Sequence, residues 1–201
     1  KRSLNLFFSK KMFLGSFNEL EKMPNHHLPE CCFIGRSNVG KSSIINAVTK
    51  SNKLAKISKT PGRTQSINLY EINNKVNLVD LPGYGYAKLS LSLRTHLSNL
   101  LQSYLKERTN LKKTYILVDC SVGMKNIDID ALEILSDIKK SYIIILTKTD
   151  KCTINFINKQ KDSILSLLQN YNNVPTNIIF TSCKNNQGIL DIQKDIFTLT
   201  N

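Results

Sequence analysis

Residues Gly35 to Ser42 read Gly-Arg-Ser-Asn-Val-Gly-Lys-Ser, the spacing of a phosphate-binding loop. Such a loop needs its two glycines because the backbone curls around a phosphate chain and presents amide hydrogens that a larger side chain would block. Arg36, Ser37, Asn38 and Val39 stand between Gly35 and Gly40. Lys41 then supplies a point charge for the outer phosphates, and the Ser42 hydroxyl suits a magnesium ion bridging them. The apolar run Cys31-Cys32-Phe33-Ile34 ahead of the loop reads as a strand, and an apolar helix is expected to start at Ile44, its N-terminal dipole favouring anions. Strand, loop and helix in that order point to an α/β fold.

At 201 residues with 41% hydrophobic content, the chain has room for one domain with a three-layer core and none for a second full domain. It contains no run of about eighteen apolar residues, so no membrane span is expected. Five cysteines, at positions 31, 32, 120, 152 and 183, follow no metal-ligand spacing. Their odd number argues against a disulfide framework and for buried thiols in a reducing compartment. The formal charge of +13 calls for an anionic partner larger than a nucleotide, RNA being the natural one, although A/T-rich coding also enriches lysine and asparagine.

Lys1 to Lys11 is basic with an apolar patch at Leu4, Leu6, Phe7 and Phe8; a presequence remnant, an added strand and a first helix all stay open. A start at Lys1 rather than methionine suggests a fragment or a processed form, so cytoplasm and an organelle matrix or stroma are both expected locations. Pro24 and Pro29 bracket a polar loop in which His26 and His27 read as surface residues. Ser66 to Glu71 and Val76 to Val79 form a hairpin around Asn73-Asn74. Helices are then expected over Leu91–Arg108, Ile127–Lys139, Thr153–Gln169 and Ile189–Leu199, with strands over Tyr115–Asp119, Tyr142–Leu146 and Asn177–Phe180. The expected architecture is a six-stranded, mainly parallel sheet with one antiparallel strand and helices on both faces, over residues 28–201, preceded by an extension over 1–27. Ligands of such sheets lie at the C-terminal ends of the strands.

Further segments fall at those ends. Asp80-Leu81-Pro82-Gly83 follows a strand, where the carboxylate can reach magnesium through water and the Gly83 amide can approach a terminal phosphate. Gly62, Arg63, Thr64, Gln65 and Ser66 lie in a polar stretch with the look of a switch. Thr64 is favoured over Thr60 as a second magnesium ligand, because it abuts the hairpin. In Thr147-Lys148-Thr149-Asp150 the Asp150 carboxylate can accept both N1–H and the exocyclic amine of guanine, while the Lys148 stem packs on the ring. Thr147 stands where the NKxD box has asparagine, so that contact is weakened or remade by a hydroxyl. Phe180, Thr181, Ser182 and Cys183 match a TSAK-type segment whose backbone amide bonds the guanine carbonyl, which leaves the cysteine side chain without a role. GTP and GDP with Mg2+ are the expected ligands.

The strings GRSNVGKSS, TPGRTQSIN, DLPGYGYAK and TKTDK resemble the EngB (YihA/YsxC) family, within the translation-factor class of P-loop GTPases, from about Phe13 onward. The resemblance implies a Ras-like three-layer fold and Mg2+–GTP binding with slow hydrolysis. It also implies a switch role in assembly of the large ribosomal subunit, on rRNA and ribosomal proteins, with bacterial members linked to division and septation. A monomer is expected. Tyr84 replaces the glutamine with which many GTPases orient the attacking water, so intrinsic turnover is expected to be slow. Asn38 is the residue type that potassium-activated relatives use as an ion ligand, which makes K+ a candidate activator. Two other readings compete: a non-hydrolysing GTP-dependent binding module for division or septation partners, and a nucleotide kinase using Arg94 and Arg108.

Overall fold

Seven strands form one sheet in the order β1-β3-β4-β2-β5-β6-β7. The computed structural model describes residues 2–55, 65–85, 89–171 and 177–200. The strands are β1 (Lys11–Phe17), β2 (Glu30–Gly35), β3 (Ile67–Ile72), β4 (Val76–Asp80), β5 (Leu111–Asp119), β6 (Tyr142–Thr147) and β7 (Ile178–Phe180). The helices are α1 (Arg2–Phe7), α2 (Lys41–Val48), α3 (Leu91–Glu107), α4 (Asn126–Asp137), α5 (Ile154–Leu168) and α6 (Ile189–Thr198).

β2 pairs in parallel with β4 and β5, and β5-β6-β7 continue in parallel. Every residue of β2 and β4 is buried, as strands covered on both faces must be. β3 alone runs against its neighbours, β4 on one side and β1 on the other. One apolar cluster packs Ile34, Val79, Ile116 and Leu146 under α3, α4 and α5. A second packs Phe33, Leu78, Leu117 and Ile145 under α2, α6 and α1.

The expected sheet of six strands is corrected to seven. Lys11–Phe17, inside the stretch expected as an extension, pairs with β3, its register shifting between Phe13 and Gly15. Partial exposure along this edge strand leaves no continuous apolar run to read. Ahead of it, α1 buries Leu4 and Phe7, with Phe8 just beyond, and Phe7 meets Phe197 of α6 edge-on at 5.1 Å. The helix after the phosphate loop begins at Lys41, before Ile44, because the Gly40 carbonyl already accepts the Ile44 N–H (3.0 Å) and closes the first turn. β5 begins at Leu111 rather than Tyr115, since its first residues pair with β2 around Glu30.

At the end of the sheet away from the loops, Glu30 is fully buried. It accepts hydrogen bonds from the Tyr104 hydroxyl (2.8 Å) and from the Arg108 guanidinium (2.8 to 3.2 Å), and His26 Nε2 lies 2.9 Å from it. His26 is thus packed into a polar staple rather than standing free on the surface, whereas His27 is exposed.

Candidate nucleotide-binding site

The phosphate loop leaves the C-terminal end of β2 and turns into α2. Gly35 admits no side chain, because a Cβ there would lie 2.8 Å from Val39 Cγ1 and 2.9 Å from the Leu117 carbonyl oxygen. Asn38 adopts φ 62° and Gly40 φ 103°, the left-handed conformations that let successive amides face one concavity. The loop is tied to the turn after β4: Ser37 N–H donates to the Tyr84 carbonyl (3.0 Å) and Tyr84 N–H to the Gly35 carbonyl (3.2 Å).

Lys41 and Asp80 are both buried and their side chains are paired. The first residue of α2 therefore meets the last residue of β4, with Ser42 next along the helix. A carboxylate and a hydroxyl beside a phosphate loop are the hard oxygen donors that suit Mg2+. Gly62, Arg63 and Thr64, with the alternative ligand Thr60, lie outside the described residues. Gln65 is exposed and Ser66 half-buried, leading into β3. Leu81, Pro82 and Gly83 are buried, Leu81 N–H donating to the Phe33 carbonyl (3.3 Å).

The third segment meets the same loop, and the fourth meets the third. Thr147, at the end of β6, is buried and donates its hydroxyl to the Val39 carbonyl at 2.7 Å. The hydroxyl standing for the box asparagine thus reaches the phosphate loop itself. Lys148, in the left-handed region at φ 58°, donates from Nζ to the Asn38 carbonyl (2.7 Å) and to Asp119 Oδ2 (2.6 Å). Partial burial works to raise the Asp119 pKa, but the hydrogen bonds from Lys148 and Ser121 outweigh it and hold the carboxyl below its ordinary range. The sequence places Asp119 only at the end of a strand and gives it no part in the site; an aspartate at that end is the available signal.

Thr149 donates both its N–H (3.1 Å) and its hydroxyl (3.0 Å) to the Thr181 carbonyl, bringing the segment after β6 against that after β7. Asp150 is exposed; its Oδ1 accepts the Ser182 hydroxyl at 2.7 Å, a bond that lowers its pKa. Its carboxylate is thus held ionised and pointed by a neighbour. Phe180 is half-buried at the end of β7, Thr181 bonds back to the Leu146 carbonyl (3.0 Å), and the Cys183 side chain is exposed. Arg108, which the kinase reading would use, instead pairs with Glu30 at the other end of the 17-residue helix α3, which spans about 25 Å at 1.5 Å per residue.

The Tyr84 hydroxyl donates to Asp128 Oδ1 at 2.9 Å, and Asp128 also lies 3.1 Å from Arg36 Nε. Neither Arg36 nor Asp128 was assigned this link from sequence, because the two are far apart along the chain.

A glycine-bounded loop entering a helix, with three further described segments at the C-terminal edge of a mainly parallel sheet, defines a P-loop α/β protein. Residues 30–148 match the family model described as 50S ribosome-binding GTPase. The chain is 45% identical over 147 residues to the probable GTP-binding protein EngB of Caulobacter vibrioides, covering 73% of this chain and 64% of that relative. It is 35% identical over 192 residues to EngB of Rickettsia bellii, covering 95% and 89%, and 40% identical over 179 residues to that of Buchnera aphidicola, covering 89% of each. Among solved structures, a probable GTP-binding protein engB superposes with a TM-score of 0.64 at 24% identity, over 85% of this chain and 98% of that one. Era in complex with MgGDPNP and part of 16S ribosomal RNA superposes with a TM-score of 0.69 at 19% identity, over 88% and 58%; these two likenesses bear on the fold. The chain belongs to the EngB family of GTP-binding proteins.

Proposed function

We propose that the chain binds GTP and GDP with Mg2+, hydrolyses GTP slowly, and acts as a nucleotide-dependent switch in assembly of the large ribosomal subunit. What carries the reading is that three loops at one edge of the sheet are joined to each other. Thr147 and Lys148 donate to the carbonyls of Val39 and Asn38, and Ser182 donates to Asp150. A ligand with phosphates at Gly35–Ser42 and guanine at Asp150 fits that span. Asp150 takes the two guanine N–H groups, Lys148 covers the ring, and the amide of Cys183 faces the base carbonyl.

Lys41 is the counter-charge of the outer phosphates, and leaves Asp80 to reach them. Ser42 and Asp80 would hold Mg2+, with Thr64 as the further ligand; bound there, the ion neutralises charge on the phosphate oxygens. Tyr84 supplies no amide to orient water, which fits slow turnover, and Asn38 is the side chain that would hold K+. The formal charge of +13 suits contact with rRNA.

Two measurements test this. Phosphate release from GTP with Mg2+ is expected to be slow and faster in K+ than in Na+; no release would refute the hydrolase assignment, and equal rates the ion assignment. Co-sedimentation with large-subunit precursors is expected with a non-hydrolysable GTP analogue and lost with GDP; binding indifferent to nucleotide would refute the switch.

A further inference from the structure

Asp128 is fully buried at the start of α4, outside every segment assigned to the nucleotide. Three groups converge on its carboxylate: the Tyr84 hydroxyl donates to Oδ1 (2.9 Å), the Lys125 N–H donates to Oδ2 (2.9 Å), and Arg36 Nε lies 3.1 Å from Oδ2. Arg36 also reaches the loop between β5 and α4, donating from Nη2 to the Gly123 carbonyl at 2.7 Å.

The backbones of the two outer partners are themselves joined. Arg36 and Tyr84 form an isolated parallel bridge, with Ser37 N–H on the Tyr84 carbonyl and Tyr84 N–H on the Gly35 carbonyl. Arg36 follows Gly35 in the phosphate loop, and Tyr84 follows Gly83, whose amide is expected from the sequence to approach the terminal phosphate. One buried carboxylate thus clamps the side chains of the two segments that must face each other across that phosphate. Burial, and then the charge of Asp128, push the Tyr84 phenol well above its ordinary pKa, so it remains a donor.

A buried carboxylate needs partners, but the N-terminal amide of α4 and one cation would serve for stability alone. The tyrosine adds a link to the turn that reads the third phosphate. We infer that Asp128 is a positioning residue for nucleotide hydrolysis: through Arg36 and Tyr84 it sets the Pro82–Gly85 turn against the phosphate loop, fixing where the Gly83 amide points and keeping the tyrosine ring out of the reacting space. The inference rests on the proposed GTPase reading.

Tyr84→Phe removes one hydroxyl and keeps the ring in place; Asp128→Asn keeps an acceptor for the tyrosine and removes the charge that Arg36 meets. Each single variant of the full chain is expected to lower single-turnover GTP hydrolysis by roughly tenfold, the effect of losing one hydrogen bond to a buried charge. GDP affinity is expected to stay within about twofold of wild type, because GDP lacks the phosphate that the turn reads. The double variant is expected to lose less than the product of the two single losses, since both act on the one clamp at Asp128. Hydrolysis unchanged in the folded Tyr84→Phe protein overturns the inference, as do losses that multiply in the double variant or GDP affinity falling in step with turnover. A wild-type protein inert toward GTP would overturn the hydrolase reading as well, whereas an active wild type with indifferent variants overturns the role of Asp128 alone.

Discussion

The Thr147 hydroxyl donates to the Val39 carbonyl at 2.7 Å, joining the end of β6 to the centre of the phosphate loop. Both residues are buried, so the bond is shielded from water. Base recognition and phosphate binding, as proposed here, are then coupled through the backbone of one loop. Thr147→Val, which keeps the shape and removes the donor, is expected to weaken GDP binding about fivefold, the worth of one neutral hydrogen bond of about 1 kcal/mol. Titration calorimetry checks it; unchanged affinity would show that the loop holds its form without this tie.

Lys41 and Asp80 are both buried and form an ion pair. Lys41→Ala leaves the Asp80 carboxylate buried without its cation, a change that costs about 3 kcal/mol in typical buried pairs. It is expected to abolish nucleotide binding and lower the denaturation midpoint, and adding Asp80→Asn is expected to recover much of the stability but none of the binding. Recovery of binding in the double variant would remove Lys41 from the phosphate site.

Asp119 gives a pH signature. Its folded pKa lies below the ordinary value, so its stabilising contribution is complete above the unfolded carboxylate pKa of about 3.9 and fades as pH falls through the lower folded value. Asp119→Asn is expected to cost about 1 kcal/mol near pH 7, a modest amount because Lys148 is partly solvated, and less near about pH 3. Urea unfolding of both proteins at the two pH values gives the comparison. A deficit undiminished in acid would assign the loss to something other than the ionised pair with Lys148.

Asp150 is held ionised by the Ser182 hydroxyl. Asp150→Asn offers an amide where the proposed guanine contact needs two acceptors, so preference is expected to move from guanine toward xanthine nucleotides, measurable by competition. Guanine preference surviving the change would place base recognition elsewhere.

Much of the molecule was legible because its chemistry is local in sequence. Gly35 to Ser42 announces itself by glycine spacing, and α2, β4 and β6 by the apolar residues around it. What escaped depends on partners distant in the chain. β1 is a strand because it pairs with β3, yet Met12 and Phe13 are exposed and Gly15 interrupts the register, so no periodicity marks it. His26 looks like a solvated loop residue until Glu30, Arg108 and Asn77 close around it. The Arg36–Asp128–Tyr84 link joins three segments whose spacing follows no motif, and only the fold brings them together.

The most direct test of the account is titration calorimetry on the pure protein in Mg2+ with GDP, GTP and ATP. Guanine nucleotides are expected to bind with one-to-one stoichiometry and ATP to give no heat of binding. ATP bound as tightly as GTP, or no nucleotide bound at all, would contradict the assignment of the phosphate loop and Asp150 to a single guanine-nucleotide site.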